Sequence, residues 1–133
     1  MKKILVTGAA GFIPSSLVDA LLSTDKYFIV GVDNFLTGKK SHVIIHQNYK
    51  FIKGDVNDFN SISSIMLHFD FDYVFHYAAV VGVNRTIENP KLVLEDIKGL
   101  QNIFDLSKNT SVKRIFFSSS SEVYGEPVHL PQH

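Results

Sequence analysis

Short apolar runs alternate with longer amphipathic segments along the whole of this 133-residue chain. The runs predict five buried strands, at residues 4–6, 27–32, 50–53, 73–76 and 113–117. Three segments between them predict helices, at residues 12–22, from a cap at Asn57 or Asp58 to about Phe69, and from Asn89-Pro90 to about residue 108. This alternation predicts an α/β fold, with a doubly wound parallel sheet covered by helices on both faces.

Each predicted helix carries an apolar stripe that we expect to face the sheet. The stripe residues are Phe12, Leu17, Val18, Leu21 and Leu22 in the first helix, Ile62, Ile65, Met66 and Phe69 in the second, and Leu92, Val93, Ile97, Leu100, Ile103 and Phe104 in the third. His76 ends a predicted strand, so we expect a packed, hydrogen-bonded core residue there.

Composition narrows the classes of function. The 13 Lys and Arg residues balance 13 Asp and Glu residues, which argues against a protein that coats nucleic acid or an anionic membrane. The absence of cysteine excludes disulfides, thiol nucleophiles and cysteine-ligated metals. No apolar run approaches the roughly 20 residues that span a bilayer, and no signal peptide is expected, so the expected location is cytoplasmic. His42 and His46 lack a third ligand, so we expect surface histidines and no metal site.

Polar or small residues follow each predicted strand at its carboxyl end. They are Thr7-Gly8, Asp33-Asn34, Asp55, Ala78-Ala79 and the serines from Ser118 to Ser121. Parallel sheets of this type bind ligands beyond the carboxyl ends of their strands, so the sequence predicts a binding site along this edge.

The first strand runs into a glycine-containing turn, Thr7 to Pro14. Gly8 permits a tight turn, and Gly11 lets the backbone approach a pyrophosphate closely, next to the N–H groups that open the following helix. Asp33 can accept hydrogen bonds from a ribose diol and would repel a 2′-phosphate, which favours NAD over NADP. The alternative is a plain strand–helix turn without a ligand.

Ordered segments of the chain resemble the extended short-chain dehydrogenase/reductase family, the NAD-dependent nucleotide-sugar epimerases and dehydratases. The similar segments are TGAAGFIP, VGVDNFLTGKK, FIKGDVND, VFHYAAVVGV, ENP and SSSSEVYGEP. The resemblance implies a Rossmann-like domain at residues 1–133 that binds NAD. It also implies cofactor contacts at Gly8, Gly11, Phe12, Ile13, Asp33, Asn34, Thr37, Gly38, Asp55, Val56, Tyr77, Ala78, Ala79, Val81 and Ser118.

The resemblance further implies a reaction in which hydride passes between a sugar carbon and the cofactor while a base removes a hydroxyl proton. Ser120 matches the family's Ser or Thr that orients the substrate oxygen. Glu122 matches a position that is acidic in family dehydratases and decarboxylases, although a plain loop glutamate is an equal alternative. Tyr124 belongs to the VYG element and is not expected to be the base.

The family's base is a tyrosine in a helical Tyr-x-x-x-Lys, and no such string follows Ser120. Tyr49 and Lys53 match the string, but they lie on a predicted strand. We therefore expect a fold that is truncated before the last strands and the substrate lobe, and a chain that alone does not turn over a nucleotide sugar, because loss of the base typically costs about 10²–10⁴-fold in rate.

Two residues depart from the family pattern. Pro14 stands where the family has its third glycine, which puts close helix–strand packing and pyrophosphate affinity in question. Asp96 stands where the family usually has Asn, and a carboxylate cannot donate a hydrogen bond as an amide does.

Two alternatives to the cofactor-binding part of an enzyme stay open. One is a non-catalytic nucleotide-binding module of the same fold. The other is a part that completes its sheet with another chain, because an unfinished sheet leaves an edge open. The resemblance also implies homodimers through a helix like that at residues 91–108. NAD titration separates the enzyme part and the nucleotide-binding module from a remnant that binds no nucleotide, and sizing by light scattering tests the part that completes its sheet.

Overall fold

The computed structural model describes residues 1–80, 83–126 and 128. Its elements are β1 (Lys2–Thr7), α1 (Phe12–Leu22), β2 (Tyr27–Asp33), β3 (Tyr49–Lys53), α2 (Phe59–Phe69), β4 (Tyr73–His76), α3 (Val83–Glu88), α4 (Pro90–Lys108) and β5 (Arg114–Phe117), with 3-10 turns at Lys40–His42 and Ser121–Tyr124. All five predicted strands and all three predicted helices are confirmed within a few residues. The short helix α3 was not predicted.

The five strands form one parallel sheet in the order β3-β2-β1-β4-β5. Thr7 pairs with Val32 on one side and with His76 on the other, and His76 pairs with Phe117. The carboxyl ends of the strands therefore meet along one edge. The predicted α/β class with a Rossmann-like, doubly wound sheet is confirmed.

Alternate residues of each strand contribute to two hydrophobic cores, one on each face of the sheet. Leu5, Val30 and Val74 pack on the side of α2 and α4, whereas Ile4 and Ile29 pack on the side of α1. This period of two follows from the pleat of a strand. Local signals set the helix starts: the Asp58 side chain accepts a hydrogen bond from Asn60 N, and Pro90 stands in the first turn of α4.

The predicted core face of α1 is wrong at Phe12, which is 75% exposed. The buried residues of the helix are Pro14, Val18 and Leu22, spaced four apart. Phe12 precedes Pro14 by two positions, which turns its side chain about 200° away around the helix axis. The helix therefore packs through Pro14, which answers the concern about close helix–strand packing at this position.

The predicted face of α4 is wrong at Ile97 and Phe104, which are 63% and 49% exposed. The buried residues are Gly99, Ile103, Leu106 and Ser107. Two of these, Gly99 and Ser107, are small or polar, so a search for large apolar side chains misses them and selects Ile97 and Phe104 instead.

Candidate functional site

A cavity of about 490 Å³ opens at the carboxyl edge of the sheet. Its wall includes most of the predicted cofactor residues, namely Gly8, Gly11, Phe12, Ile13, Asp33, Asn34, Thr37, Asp55, Val56, Tyr77, Ala78, Ala79 and Ser118. Gly38 is not among the lining residues, and Val81 lies outside the described residues. A second cavity of about 400 Å³, on the sheet face near Tyr73 and Phe116, contains none of the predicted site residues.

The glycine loop turns from β1 into α1 with its backbone against the cavity. Gly8 has a φ of +68°, and a side chain there would meet the backbone of Tyr77 and Ala78 at 2.9 Å. Gly11 N donates to Gly8 O at 2.9 Å, and the first helical bond runs from Ser15 N to Gly11 O. Because the first N–H groups of a helix have no partner within it, this end of α1 favours an anion.

Pro14 is the third residue of α1 and has no N–H. It therefore removes one donor from the helix end, while Phe12 and Ile13 keep theirs. The anion-binding character of the loop rests on these two N–H groups, because the Gly11 N–H is already bonded to Gly8 O.

Asp33 is 8% exposed and lies at the centre of the loop contacts. Its Oδ2 accepts a hydrogen bond from Ala10 N at 3.0 Å, and its Oδ1 accepts one from Phe35 N at 2.7 Å. A carboxylate has about four acceptor sites, so the two oxygens retain capacity for further donors such as a ribose diol. A side chain on Gly38 would come within 2.9 Å of Asp33 Oδ2, so Gly38 contributes by leaving room for this carboxylate.

The segment after β2 also holds the glycine loop in place. Ala10 O accepts hydrogen bonds from Lys39 N at 3.0 Å and from His42 Nδ1 at 2.9 Å. The expectation that His42 is simply a surface histidine is therefore wrong, because its ring is half-buried and bonded to the glycine loop. No local sequence signal reveals a contact across 32 positions.

A buried pair joins the ends of β1 and β4 behind the cavity. Thr7 Oγ1 accepts hydrogen bonds from Tyr77 N and Ala78 N, both at 3.1 Å, and lies 2.8 Å from His76 Nδ1. Since the Thr7 oxygen already accepts two bonds, its hydroxyl donates to His76 Nδ1, which leaves the ring neutral with its proton on Nε2. The core position expected for His76 is confirmed.

Burial lowers the pKa of His76 from 6.5 to about 4. Between these values the unfolded chain binds more protons than the folded chain, so stability is complete above pH ~6.5 and is lost as pH falls toward 4. We expect a loss of about 3 kcal/mol over this range from His76. Urea unfolding at several pH values measures it: His76→Asn should flatten the pH dependence, and the exposed control His68→Asn should retain it. An unchanged slope in His76→Asn would contradict the assignment.

The cavity wall opposite the glycine loop comes from the end of β3 and from α4. Asp55 Oδ1 accepts a hydrogen bond from Asn57 N at 2.9 Å, and Asn102 Nδ2 donates to Val56 O at 2.9 Å. Asp96 Oδ2 accepts a hydrogen bond from Val80 N at 2.6 Å, so the carboxylate that departs from the family pattern supports the cavity wall as an acceptor.

Charge in the cavity has one sign. Four carboxylate residues are among the described lining residues, Asp33, Asp55, Glu95 and Asp96, whereas none of the described lining residues is Lys or Arg. Sequence reasoning did not place Glu95 or Asn57 at this edge, since neither follows a strand directly.

The candidate catalytic residues lie next to this edge. Ser118 N donates to His76 O at 3.4 Å, and Ser118 lines the cavity. Ser120 is exposed and is not among the described lining residues, and Glu122 lies in the 3-10 turn that follows it.

Tyr49 and Lys53 lie at the two ends of strand β3, as expected. Burial, and to a smaller extent the charge of Asp33, raises the pKa of Tyr49 to about 12.

Two other kinds of feature, a metal site and a membrane-spanning helix, are absent from residues 1–80, 83–126 and 128. No group of three or more His, Asp or Glu residues there could hold a metal ion. No helix in that part of the chain is long and apolar enough to cross a membrane.

Known proteins are similar to this chain in sequence and in fold. UDP-glucuronic acid decarboxylase 1 of Danio rerio is 35% identical over 136 residues, which are 99% of this chain and 30% of that protein. The structure of UDP-glucose 4-epimerase from Brucella ovis in complex with NAD matches with a TM-score of 0.85 and 32% identity, over 98% of this chain and 39% of that one.

Epimerase Mth375 of Methanothermobacter thermautotrophicus matches with a TM-score of 0.89 and 29% identity, over 99% of this chain and 39% of that one. The chain spans less than half the length of the curated relatives that it matches. The model of the NAD dependent epimerase/dehydratase family matches residues 4–133. The chain therefore belongs to the NAD dependent epimerase/dehydratase family.

Proposed function

We propose that this chain binds NAD in the cavity at the carboxyl edge of its sheet and serves as the cofactor-binding part of a nucleotide-sugar epimerase, dehydratase or decarboxylase. The observation that carries the proposal is the meeting of the glycine loop and Asp33 on one cavity, joined by the bond from Ala10 N to Asp33 Oδ2. Family membership and the NAD complex of the Brucella ovis epimerase support it.

The residues present fit a dinucleotide. Because Gly8 and Gly11 have no side chains, the backbone beside the N-terminus of α1 is accessible from the cavity, which suits a pyrophosphate. Asp33 retains acceptor capacity for ribose hydroxyls, and the cavity has the size range of small-molecule sites, about 300–1,000 Å³.

Each part of the dinucleotide is proposed to meet its own group of residues. We assign the pyrophosphate to Gly8, Gly11, Phe12 and Ile13, the adenosine ribose to Asp33, Asn34, Thr37 and Gly38, the adenine to Asp55 and Val56, and the middle of the cofactor to Tyr77, Ala78, Ala79, Val81 and Ser118.

When bound, NAD supplies a hydride acceptor and donor for a sugar carbon. The chain's own proposed contribution is to position this chemistry. We assign to the Ser120 hydroxyl the orientation of the substrate oxygen, and to Glu122 the movement of a proton.

The string Tyr-x-x-x-Lys is absent after Ser120, and Tyr49 lies on a strand with a raised pKa. A tyrosine whose pKa is raised to about 12 is a poor base at neutral pH. We therefore propose that these 133 residues bind the cofactor without turning over a nucleotide sugar by themselves.

Calorimetric titration with NAD⁺ and NADP⁺ tests this proposal. We expect NAD⁺ to bind and NADP⁺ to bind about 100-fold more weakly, because a 2′-phosphate would approach Asp33 with no cation among the described lining residues to neutralise it. The same preparation should show no conversion of UDP-glucose or UDP-glucuronic acid. Equal affinity for the two dinucleotides, or turnover of either sugar, would contradict the proposal.

Pairing of two copies through α4 is a second proposal, favoured by a specific observation. Leu94, Ile97 and Phe104 are large apolar residues that α4 leaves exposed. Association of two copies would remove this apolar surface from water.

We also propose a cytoplasmic location, as expected from the sequence.

A further inference from the structure

Asn57 contributes an unsatisfied polar group to the cavity wall. Its Oδ1 is shielded from solvent and accepts no hydrogen bond from any described residue. Asn57 also lines the cavity. Shielding a polar atom without a hydrogen bond is destabilising, so an unpaired group beside a ligand cavity calls for a physical reason.

The backbone around Asn57 is held firmly while its carboxamide is not. Asn57 N donates to Asp55 Oδ1 at 2.9 Å, Asp58 N donates to Asp55 O at 3.1 Å, and Val56 O accepts from Asn102 Nδ2. A side chain built on Gly99 of α4 would lie 2.5 Å from Asn57 Oδ1, so the oxygen rests against a glycine that offers it no donor. The residue is thus fixed at the wall with its hydrogen-bonding capacity unused.

We propose that the Asn57 carboxamide recognises the adenine ring of the bound dinucleotide, by turning from Gly99 into the cavity when the ligand enters. The inference rests on the proposed function, which puts the adenine beside Asp55 and Val56. Rotation about the side-chain bonds exchanges an unsatisfied contact for a satisfied one, so it favours the bound state.

On its N6–N7 edge adenine presents an amino donor next to the N7 acceptor, and a carboxamide presents an acceptor next to a donor. The two groups can form a paired, two-bond contact, and such pairs discriminate between bases. On the same edge hypoxanthine presents two acceptors, O6 and N7, so the carboxamide can form only one of the two hydrogen bonds there. Asn57 should therefore distinguish NAD⁺ from nicotinamide hypoxanthine dinucleotide.

The variant Asn57→Ala tests the inference, with Asn60→Ala as the matched control, because Asn60 is exposed on α2 and is not a described lining residue. In calorimetry we expect Asn57→Ala to weaken NAD⁺ and AMP binding about tenfold and to leave the hypoxanthine dinucleotide within about twofold of wild type. The control should match wild type for all three ligands.

Thermal unfolding without ligand separates recognition from a structural role. Because the carboxamide oxygen has no described partner in the free protein, Asn57→Ala should keep or raise the melting temperature. In NMR spectra of the wild type, the Asn57 side-chain amide signals should shift when AMP is added.

Three results would overturn the inference: unchanged NAD⁺ affinity in Asn57→Ala, an equal loss for both dinucleotides, or a weaker affinity matched by a lower melting temperature. If wild type binds NAD⁺ and the variant binds it equally well, this inference alone fails. A wild-type chain that binds neither NAD⁺ nor AMP overturns the proposed function as well.

Discussion

Replacing Asp33 by alanine is expected to weaken NAD⁺ binding about 100-fold and to destabilise the folded chain by about 3 kcal/mol. The carboxylate accepts backbone N–H groups from Ala10 and Phe35 at 3.0 and 2.7 Å while it is 8% exposed. Hydrogen bonds to a charged group contribute about 1.5–3 kcal/mol each, and alanine leaves both donors without their partner. The glycine loop and the segment after β2 would then lose the hydrogen bonds that join both of them to Asp33.

Calorimetry with NAD⁺ and urea unfolding measure the two effects of the Asp33 substitution. Asp33→Asn separates them, because the amide keeps the size of the side chain and one acceptor oxygen but loses the charge. Asp105→Ala is the control, since Asp105 is exposed on α4. Binding by Asp33→Ala within threefold of wild type would show that this carboxylate does not hold the dinucleotide.

Replacing Gly8 by alanine should produce the largest loss of stability, about 3 kcal/mol or more, and abolish measurable NAD⁺ binding. The residue has a φ of +68°, which strains any L side chain. The added Cβ would also meet the backbone at Ala78 N and Tyr77 C, both at 2.9 Å, and backbone cannot rotate aside. The loop and the wall at Tyr77-Ala78 would have to separate, which opens the cavity.

Gly125 provides a matched control for Gly8. Its φ is +66°, but a Cβ there would meet none of the described residues within 4 Å. Gly125→Ala therefore carries the conformational strain alone, about 1 kcal/mol, and should retain NAD⁺ binding. Chemical unfolding of the two variants measures the difference. Equal stability of Gly8→Ala and Gly125→Ala would contradict the close approach of β1 and β4.

Short-range signals were enough to predict the five strands, the three longer helices and the edge where the candidate site lies. Asp58 caps α2, Pro90 opens α4, and apolar runs end at Asp33 and His76. These signals work because caps, prolines and strand periodicity act within a few residues. Parallel strands then bring their polar ends together without further information.

The helix faces could not be predicted reliably, because packing is decided by the partner surface. Gly99 is buried since a larger residue would meet Val56 and Asn57, whereas Ile97 lies on the far side of α4. Hydrophobicity alone would predict that Ile97 is buried and Gly99 is exposed, which is the reverse of what the structure shows.

The contacts that shape the site join positions far apart in the chain. His42 bonds to Ala10, and Thr7 bonds to His76, Tyr77 and Ala78, across 32 to 71 positions. Nothing in the local sequence distinguishes such residues from ordinary surface or core positions. The unsatisfied oxygen of Asn57 is likewise visible only once α4 is packed against the end of β3.

Mapping NAD⁺ onto the backbone amides by NMR tests the central claim most directly. If the diphosphate rests at the N-terminus of α1 with its ribose on Asp33, then saturating NAD⁺ should shift the amide signals of Gly8, Gly11, Phe12 and Asp33. Amides on the outer face of α2, such as that of Leu67, should stay in place. Shifts confined to other surfaces, or none at millimolar NAD⁺, would contradict the account.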